Sequence, residues 1–127
     1  DPLVTIGAHT RRHYALAKLP AAEAEAEMRD SIDRIESELG QRPRHFSYPY
    51  GCERSAGPRE FALAARLGMQ TAVTTRKGML FAGHGEHLMA LPRLSLNGDY
   101  QDQRHLSVLM SGLPFFLWNG LRRIAPA

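Results

Sequence analysis

The sequence predicts an α/β protein in which helices alternate with the short strands of a parallel sheet. Two amphipathic segments have the apolar spacing of helices, and the apolar runs between them have the length and β-branched content of strands. Strands that are separated by helices pair in parallel, with the helices packed outside the sheet. The chain of 127 residues is long enough for one core, and it contains no internal repeat or interdomain linker.

A strand and a long helix are predicted at the start of the chain. The apolar run Leu3–Ile6 is expected to form a buried strand that ends at Gly7. Residues 21–39 have helical periodicity, with Pro20 before them and Gly40 after them, as helix ends prefer. The apolar face of this helix consists of Met28, Ile32, Ile35 and Leu39.

The middle of the chain predicts a second strand, a second helix and a third strand. The second strand is His45–Tyr48, which the corner at residues 49–51 closes. Pro58 opens a helix that runs to about residue 67. The β-branched run Thr71–Thr75 is the third strand.

The remaining elements are a fourth strand and a last helix. A glycine-rich loop spans residues 76–87, and we expect its histidines, His84 and His87, to be solvated. The fourth strand is predicted at Leu91–Leu96 and the last helix at Gln103–Met110.

Composition argues against several classes of protein. The formal net charge is +3 and no block of Lys and Arg stands out, so we expect no nucleic-acid partner. The single cysteine, Cys52, excludes an internal disulfide and a thiolate zinc cluster, and it fits a reducing compartment. The apolar stretch Leu106–Leu121 is too short and interrupted to span a bilayer, so we expect the tail, residues 113–127, to cover the core. The alternative is a shallow contact with a membrane or a partner.

Two histidines four residues apart are the first candidate for chemistry. His9 and His13 follow the first predicted strand, and their imidazoles can reach one metal ion if the chain between them turns once. A catalytic zinc commonly has three protein ligands, so a carboxylate would complete the set. The alternative is that His9 caps the strand while His13 is solvated beside Arg11 and Arg12. The spacing alone leaves both interpretations open.

The corner Pro49-Tyr50-Gly51 is the second candidate. Proline fixes the backbone angle φ, so this corner is rigid and suited to hold a substrate carbonyl beside the ion. The alternative is a turn that merely ends the strand and packs a tyrosine.

Taken together, these motifs resemble those of polysaccharide deacetylases of the NodB-homology type, carbohydrate esterase family 4. Residues 8–13 resemble the family's His-Ser/Thr-x-x-His motif, and residues 46–51 resemble its Phe-Arg-x-Pro-Tyr-Gly motif. Residues 67–75 resemble its Leu-Gly-Phe-x-x-Ala-Val-Thr-Thr strand. The resemblance implies a partial (β/α) barrel that lacks its first strands. Residues 1–127 would then be the C-terminal portion of one domain, with barrel elements in 1–112.

The resemblance also implies an activity, the metal-dependent removal of acetyl groups from N-acetylated or O-acetylated carbohydrates. A divalent ion, most often zinc, would bind His9, His13 and an aspartate, and a second aspartate would act as the base. The backbone N–H of Tyr50, held by Pro49, would help to stabilise the oxyanion. The implied partner is an acetylated oligosaccharide or polysaccharide.

The sequence departs from the family pattern at several positions. It has no Asp-Asp pair, which the family carries on an earlier strand; Asp1 and Asp99 are poor substitutes, so we expect this chain alone to be inactive. Ser47 stands where many relatives have an arginine, and our hypothesis is that Arg93 replaces that arginine. We assign no general acid, because His105 lies in a helical pattern.

Two other functions remain open at this point. One is hydrolysis of a different amide or ester, such as acetylxylan, on the same scaffold. The other is a non-catalytic carbohydrate-binding or interaction domain that has the histidines without the acidic motif. A barrel without its first strands would also have an open sheet edge, so we predict self-association through that edge.

Overall fold

The computed structural model describes residues 3–96, 98 and 102–121. Within these ranges the chain forms four α-helices, a two-stranded sheet and three short 3-10 helices. The helices and strands are, in chain order, α1 (Ala21–Leu39), β1 (His45–Ser47), α2 (Pro58–Arg66), β2 (Thr71–Val73), α3 (Gln103–Met110) and α4 (Leu113–Trp118). The 3-10 helices are Leu16–Lys18, Ala82–Glu86 and Leu88–Ala90.

The sheet is parallel, which confirms the predicted α/β class. In the register of β1 and β2, Phe46 lies opposite Ala72. An extended segment flanks each side of this pair and joins it by a single parallel bridge, Ala8 to Phe46 on one side and Leu91 to Val73 on the other. The ends of four parallel segments therefore meet at one edge, where loops can carry functional side chains.

The first and fourth predicted strands do not form as regular strands in the described structure, so those two predictions are wrong. In the first, Leu3 is 91% exposed and Ile6 is 48% exposed, and in the described structure the bridge to β1 forms at Ala8, beyond the predicted run. In the fourth, Leu91 is paired, but the Arg93 N–H donates to the carbonyl of Arg76 and not to that of Thr74, so the regular ladder does not continue past Leu91 in the described structure.

The helices agree closely with the prediction. Helix α1 has the predicted bounds and ends at Gly40, which takes the left-handed φ of 67° and donates its N–H to the carbonyl of Glu36. Its apolar face is buried at Met28 and Ile32, whereas Leu39 at the last turn is 57% exposed. The stretch from Ala24 to Ile32 therefore packs into the core.

The core lies between the sheet and the helices α1 and α2. Tyr48 is buried at its centre, with its ring 5.2 Å from that of Phe46 and 5.4 Å from that of Phe61. Its hydroxyl donates a hydrogen bond to the carbonyl of Met89 at 2.9 Å. Burial, together with the nearby Glu60 carboxylate, raises the pKa of Tyr48 above its usual value.

The prediction for the glycine-rich loop is wrong at His84. This residue is 3% exposed, and its Nδ1 accepts a hydrogen bond from the Phe81 N–H at 3.1 Å. The imidazole also stacks on the ring of Phe81. The 3-10 helix Ala82–Glu86 places this side chain inward, where its Nδ1 satisfies a backbone donor.

The described part of the apolar tail, residues 113–121, covers the core less than predicted, and residues 122–127 lie outside the described ranges. Phe115 is buried, but Trp118 is 73% exposed and Leu117 is 60% exposed. Helix α4 has six residues that are apolar on every side, so one face alone can pack against the rest of the chain. None of the helices in the described ranges combines the length and the apolar character needed to cross a membrane.

Candidate metal-binding site

The structure brings His9 and His13 together. Their ring centroids are 4.8 Å apart and the ring planes are inclined by 68°. His9 follows Ala8, the residue that bridges to β1, so one imidazole starts from the edge of the sheet. Both side chains are exposed to solvent. The pair is therefore open to an incoming ion.

A hydrogen bond to β1 fixes the tautomer and the orientation of the first imidazole. The Nδ1 atom of His9 lies 2.6 Å from the carbonyl oxygen of Ser47. A carbonyl oxygen only accepts, so Nδ1 carries the proton and the lone pair is on Nε2. A ligating histidine characteristically donates its other ring N–H in this way. Ser47 contributes its backbone at this point, which the sequence did not indicate.

The chain between the two histidines turns back on itself through an unusual backbone. Thr10 has a φ of 64° and His13 has a φ of 60°, in the left-handed region that non-glycine residues rarely adopt. The Oγ1 atom of Thr10 accepts a hydrogen bond from the His13 N–H at 3.0 Å. This turn places the imidazole of His13 next to that of His9.

The corner after β1 has the same unusual conformation. Tyr50 has a φ of 62° and Gly51 has a φ of 58°, directly after the buried Pro49. Thr75 holds the corner from the end of the neighbouring strand, with its hydroxyl bonded to the Tyr50 carbonyl and its N–H bonded to the Gly51 carbonyl at 3.0 Å. The corner is thus rigid, as its proline predicts.

Tyr50 lies directly beside the histidine pair. Its ring centroid is 5.0 Å from that of His13, and the residue is 60% exposed. In the described part of the chain, its backbone N–H has no hydrogen-bond partner. The tyrosine is therefore not packed into the core, and its N–H is available to a ligand.

The donor set fits part of a divalent metal site. Neutral imidazoles are good zinc ligands, and His9 and His13 supply two of them. No third histidine, cysteine or carboxylate joins the pair within the described ranges, and both Asp1 and Asp99 lie outside those ranges. The two histidines therefore match two ligands of a three-ligand site.

The predicted role of Arg93 stays a hypothesis. Arg93 is exposed, and its backbone N–H donates to the carbonyl of Arg76 at 3.0 Å, next to the bridge at Leu91. The described structure contains no hydrogen bond or cation–π contact between its guanidinium group and either His9 or Tyr50.

Glu27, a buried carboxylate of α1 that contacts the segment between His9 and His13, was not among the residues that the sequence indicated. Its Oε1 accepts from the Nε of Arg12 at 2.6 Å, and its Oε2 accepts from the Arg12 backbone N–H at 2.9 Å. Burial alone would raise the pKa of Glu27, but the hydrogen bonds from Arg12 outweigh it and the pKa lies below its usual value. The available signal was its place in the inward-facing stripe with Ala24, Met28 and Ser31.

A comparison with protein families decides the affiliation. The family described as polysaccharide deacetylase matches residues 1–72, which is more than half of the chain. The chain belongs to the polysaccharide deacetylase family. The matched range includes both histidines, the Tyr50 corner and Glu27. Among curated proteins, none matches this sequence.

Solved structures have the same fold as this polysaccharide deacetylase-family chain. The Streptococcus pyogenes deacetylase PplD in complex with acetate is 28% identical with a TM-score of 0.70, over 80% of this chain and 42% of that chain. IcaB from Ammonifex degensii has a TM-score of 0.65 at 22% identity, over 83% of this chain and 47% of that chain, and it supports the fold alone. The present chain therefore spans less than half the length of either protein.

Proposed function

We propose that this polysaccharide deacetylase-family chain takes part in the metal-dependent hydrolysis of acetyl groups on N-acetylated or O-acetylated carbohydrates. The observation that carries the proposal is the oriented imidazole pair, His9 and His13, beside the exposed corner at Tyr50. The two imidazoles suit a divalent cation, and the adjacent backbone N–H of Tyr50 suits a carbonyl oxygen.

The ion we expect at these donors is zinc, which imidazole nitrogens bind well. His9 would bind it through Nε2, because Nδ1 is engaged by Ser47, and His13 would supply the second nitrogen. When bound, zinc supplies Lewis acidity toward water and toward the acetyl carbonyl. The third ligand and the catalytic base are expected to be carboxylates outside the described ranges.

Tyr50 would act through its backbone. As the acetyl carbonyl is attacked, negative charge develops on its oxygen, and a fixed N–H at that position lowers the energy of the transition state. The corner is held by Pro49 and Thr75, so the donor needs little reorganisation during the reaction. Removing one such donor in other enzymes costs about 100-fold to 1000-fold in kcat.

The relationship to PplD supports the choice of an acetyl group. That structure is described as a deacetylase in complex with acetate, and acetate is the acid released when an acetyl group is hydrolysed. The identity of 28% and the shared fold support a similar reaction for this family member.

The deciding experiment measures acetate release by the full-length protein. The substrates are oligomers of N-acetylglucosamine and acetylated xylo-oligosaccharides, with and without a chelator. We expect release that the chelator abolishes and added zinc restores. His9→Ala and His13→Ala should each lower kcat/KM more than about 100-fold, because a ligating group has a larger effect than the outer partners of a metal site.

A matched control is His87→Ala, since His87 lies in the segment 82–90 and is not part of the imidazole pair. This variant should keep wild-type activity. Activity that survives both the chelator and His9→Ala would refute the metal-dependent mechanism. Sugar binding without acetate release from any substrate, in folded and zinc-loaded protein, would instead favour a non-catalytic carbohydrate-binding domain.

A further inference from the structure

We infer that Glu27 is a positioning residue for the histidine pair: from inside α1, its carboxylate fixes the chain between His9 and His13 and so keeps both imidazoles within reach of one ion. The observed contacts alone support the restraint of the segment between His9 and His13, whereas the consequence for metal binding rests on the proposed function.

Three hydrogen bonds join the residue Glu27 to the segment between the histidines. Each carboxylate oxygen accepts one from Arg12, from its backbone N–H at 2.9 Å and from its Nε at 2.6 Å. The backbone carbonyl of Glu27 accepts the third, from the Arg11 N–H at 3.2 Å. These contacts link α1 to the centre of the His9–His13 segment.

The burial of Glu27 makes this link rigid. The residue is 2% exposed and lies one turn from Ala24 and Ser31, which are also buried. Burying a carboxylate is costly unless it is paired and hydrogen-bonded, and both of its oxygens have partners in the loop. Arg12 itself is largely exposed, so the buried partner defines the position of the contact.

The loop needs an external restraint because its own backbone is strained. Thr10 and His13, on either side of Arg11 and Arg12, both have positive φ. Such conformations persist only where the surrounding structure over-determines them. Without the bonds to Glu27, the segment would relax toward ordinary backbone angles, and the 4.8 Å approach of the two rings would be lost.

The test compares two isosteric substitutions on α1 in the full-length protein. Glu27→Gln removes one of the two acceptor oxygens and places an NH2 group opposite a donor. The control is Glu38→Gln, because Glu38 is exposed on the same helix and pairs with Arg34. The readouts in metal-free protein are the amide hydrogen exchange of residues 11–13 and the nuclear Overhauser effect between the rings of His9 and His13. Zinc affinity and acetate release are measured separately.

We expect Glu27→Gln to speed exchange at the Arg12 amide, to weaken the ring-to-ring effect and to raise the zinc Kd about tenfold, the lower end for outer partners of a metal site. The amides of α1 should keep their protection. Glu38→Gln should change none of these. Arg12→Met leaves the helix and the backbone N–H bond intact, so it should shift the same readouts in the same direction but less. It replaces Glu27→Gln as the test variant if that protein does not fold.

The inference is overturned if Glu27→Gln matches Glu38→Gln in loop exchange and ring contact. It is equally overturned if exchange rises uniformly along α1, since that outcome indicates general destabilisation. The proposed function fails separately, if wild-type protein neither binds zinc nor releases acetate while the loop still responds to Glu27→Gln.

Discussion

Three non-glycine residues of the candidate site adopt a left-handed backbone. Thr10, His13 and Tyr50 have φ values of 64°, 60° and 62°. Each such residue costs on the order of 1–2 kcal/mol relative to the right-handed region. Strain of this kind concentrates at functional sites, where the fold holds side chains in positions that relaxed backbone would not reach.

Gly51 has a steric requirement that can be measured. Its φ is 58°, and a Cβ at this position would lie 2.5 Å from the backbone N of Thr75. Gly40 has a similar φ of 67° but nothing within 4 Å of the same position, so it is a matched control. We expect Gly51→Ala to lower the free energy of unfolding by about 3 kcal/mol and Gly40→Ala by about 1 kcal/mol in urea titrations. Equal losses would show that Thr75 exerts no steric constraint.

The buried hydroxyl of Tyr48 predicts a stability change at high pH. Its pKa is raised in the folded state, mainly by burial, so above a pH of about 10 a tyrosine of the unfolded chain ionises while Tyr48 stays neutral. The contribution of this group to stability is thus complete below pH 10 and is lost as the pH rises further. Tyr48→Phe should cost about 1 kcal/mol at pH 7, because the carbonyl of Met89 loses its donor.

That cost should shrink in unfolding titrations above pH 10. Wild-type protein loses stability there, whereas Tyr48→Phe has no hydroxyl to ionise. A difference between the two proteins that stays constant from pH 7 to 11 would contradict the assignment.

The sequence predicted some of these residues and not others, for physical reasons. His9, His13 and Tyr50 were accessible because their chemistry and spacing are visible in the chain, and the structure does bring them together. Glu27 and the Ser47 carbonyl could not be predicted in this way. A glutamate on a helix usually faces solvent, and a backbone carbonyl has no sequence signature at all.

At the level of elements, helices were predicted more accurately than strands. Helix α1 has the predicted bounds because proline and glycine mark its ends locally. A strand depends on partners that are distant in sequence, so the apolar runs at 3–6 and 91–96 did not reveal that pairing in the described structure would be limited to single bridges at Ala8 and Leu91. Local sequence therefore predicted which segments are extended, whereas the length of each paired strand depended on its tertiary partners.

The apolar face of α1 should have unequal energetic importance along its length. Ile32 is fully buried, whereas Leu39 is 57% exposed, although both belong to the predicted stripe. We expect Ile32→Ala to cost about 2–4 kcal/mol of unfolding free energy and Leu39→Ala less than about 1 kcal/mol. Denaturant titrations of the two variants provide the comparison, and similar losses would mean that Leu39 contributes as much packing energy as Ile32.

On the scale of the whole molecule, the described residues leave an open edge beside the extended segment that leads to Ala8. Val4 is 60% exposed, and with Ile6 it lines a groove that also includes Ile35 and Leu39 of α1. An extended segment with partners on one side and apolar side chains is a template for pairing with another chain. The predicted self-association is consistent with this surface and remains a prediction.

We expect the 127-residue chain to increase in average mass with concentration in analytical ultracentrifugation. Val4→Lys should weaken the association about tenfold, since a charge placed in an apolar contact is costly to desolvate. Leu80→Lys is the control, because Leu80 is 61% exposed but does not line this groove. A monomeric mass at all concentrations, or equal effects of the two substitutions, would argue against pairing at this edge.

The parallel bridge at Ala8 also determines when the histidine site can form during folding. Each parallel contact closes a loop, and the loop from Ala8 to Phe46 encloses all of α1, whereas β1 and β2 are separated by the shorter α2. Longer closures cost more chain entropy, and contacts between distant residues form late. The bridge that orients His9 should therefore be among the last to close as the chain folds and among the first to open in the native state.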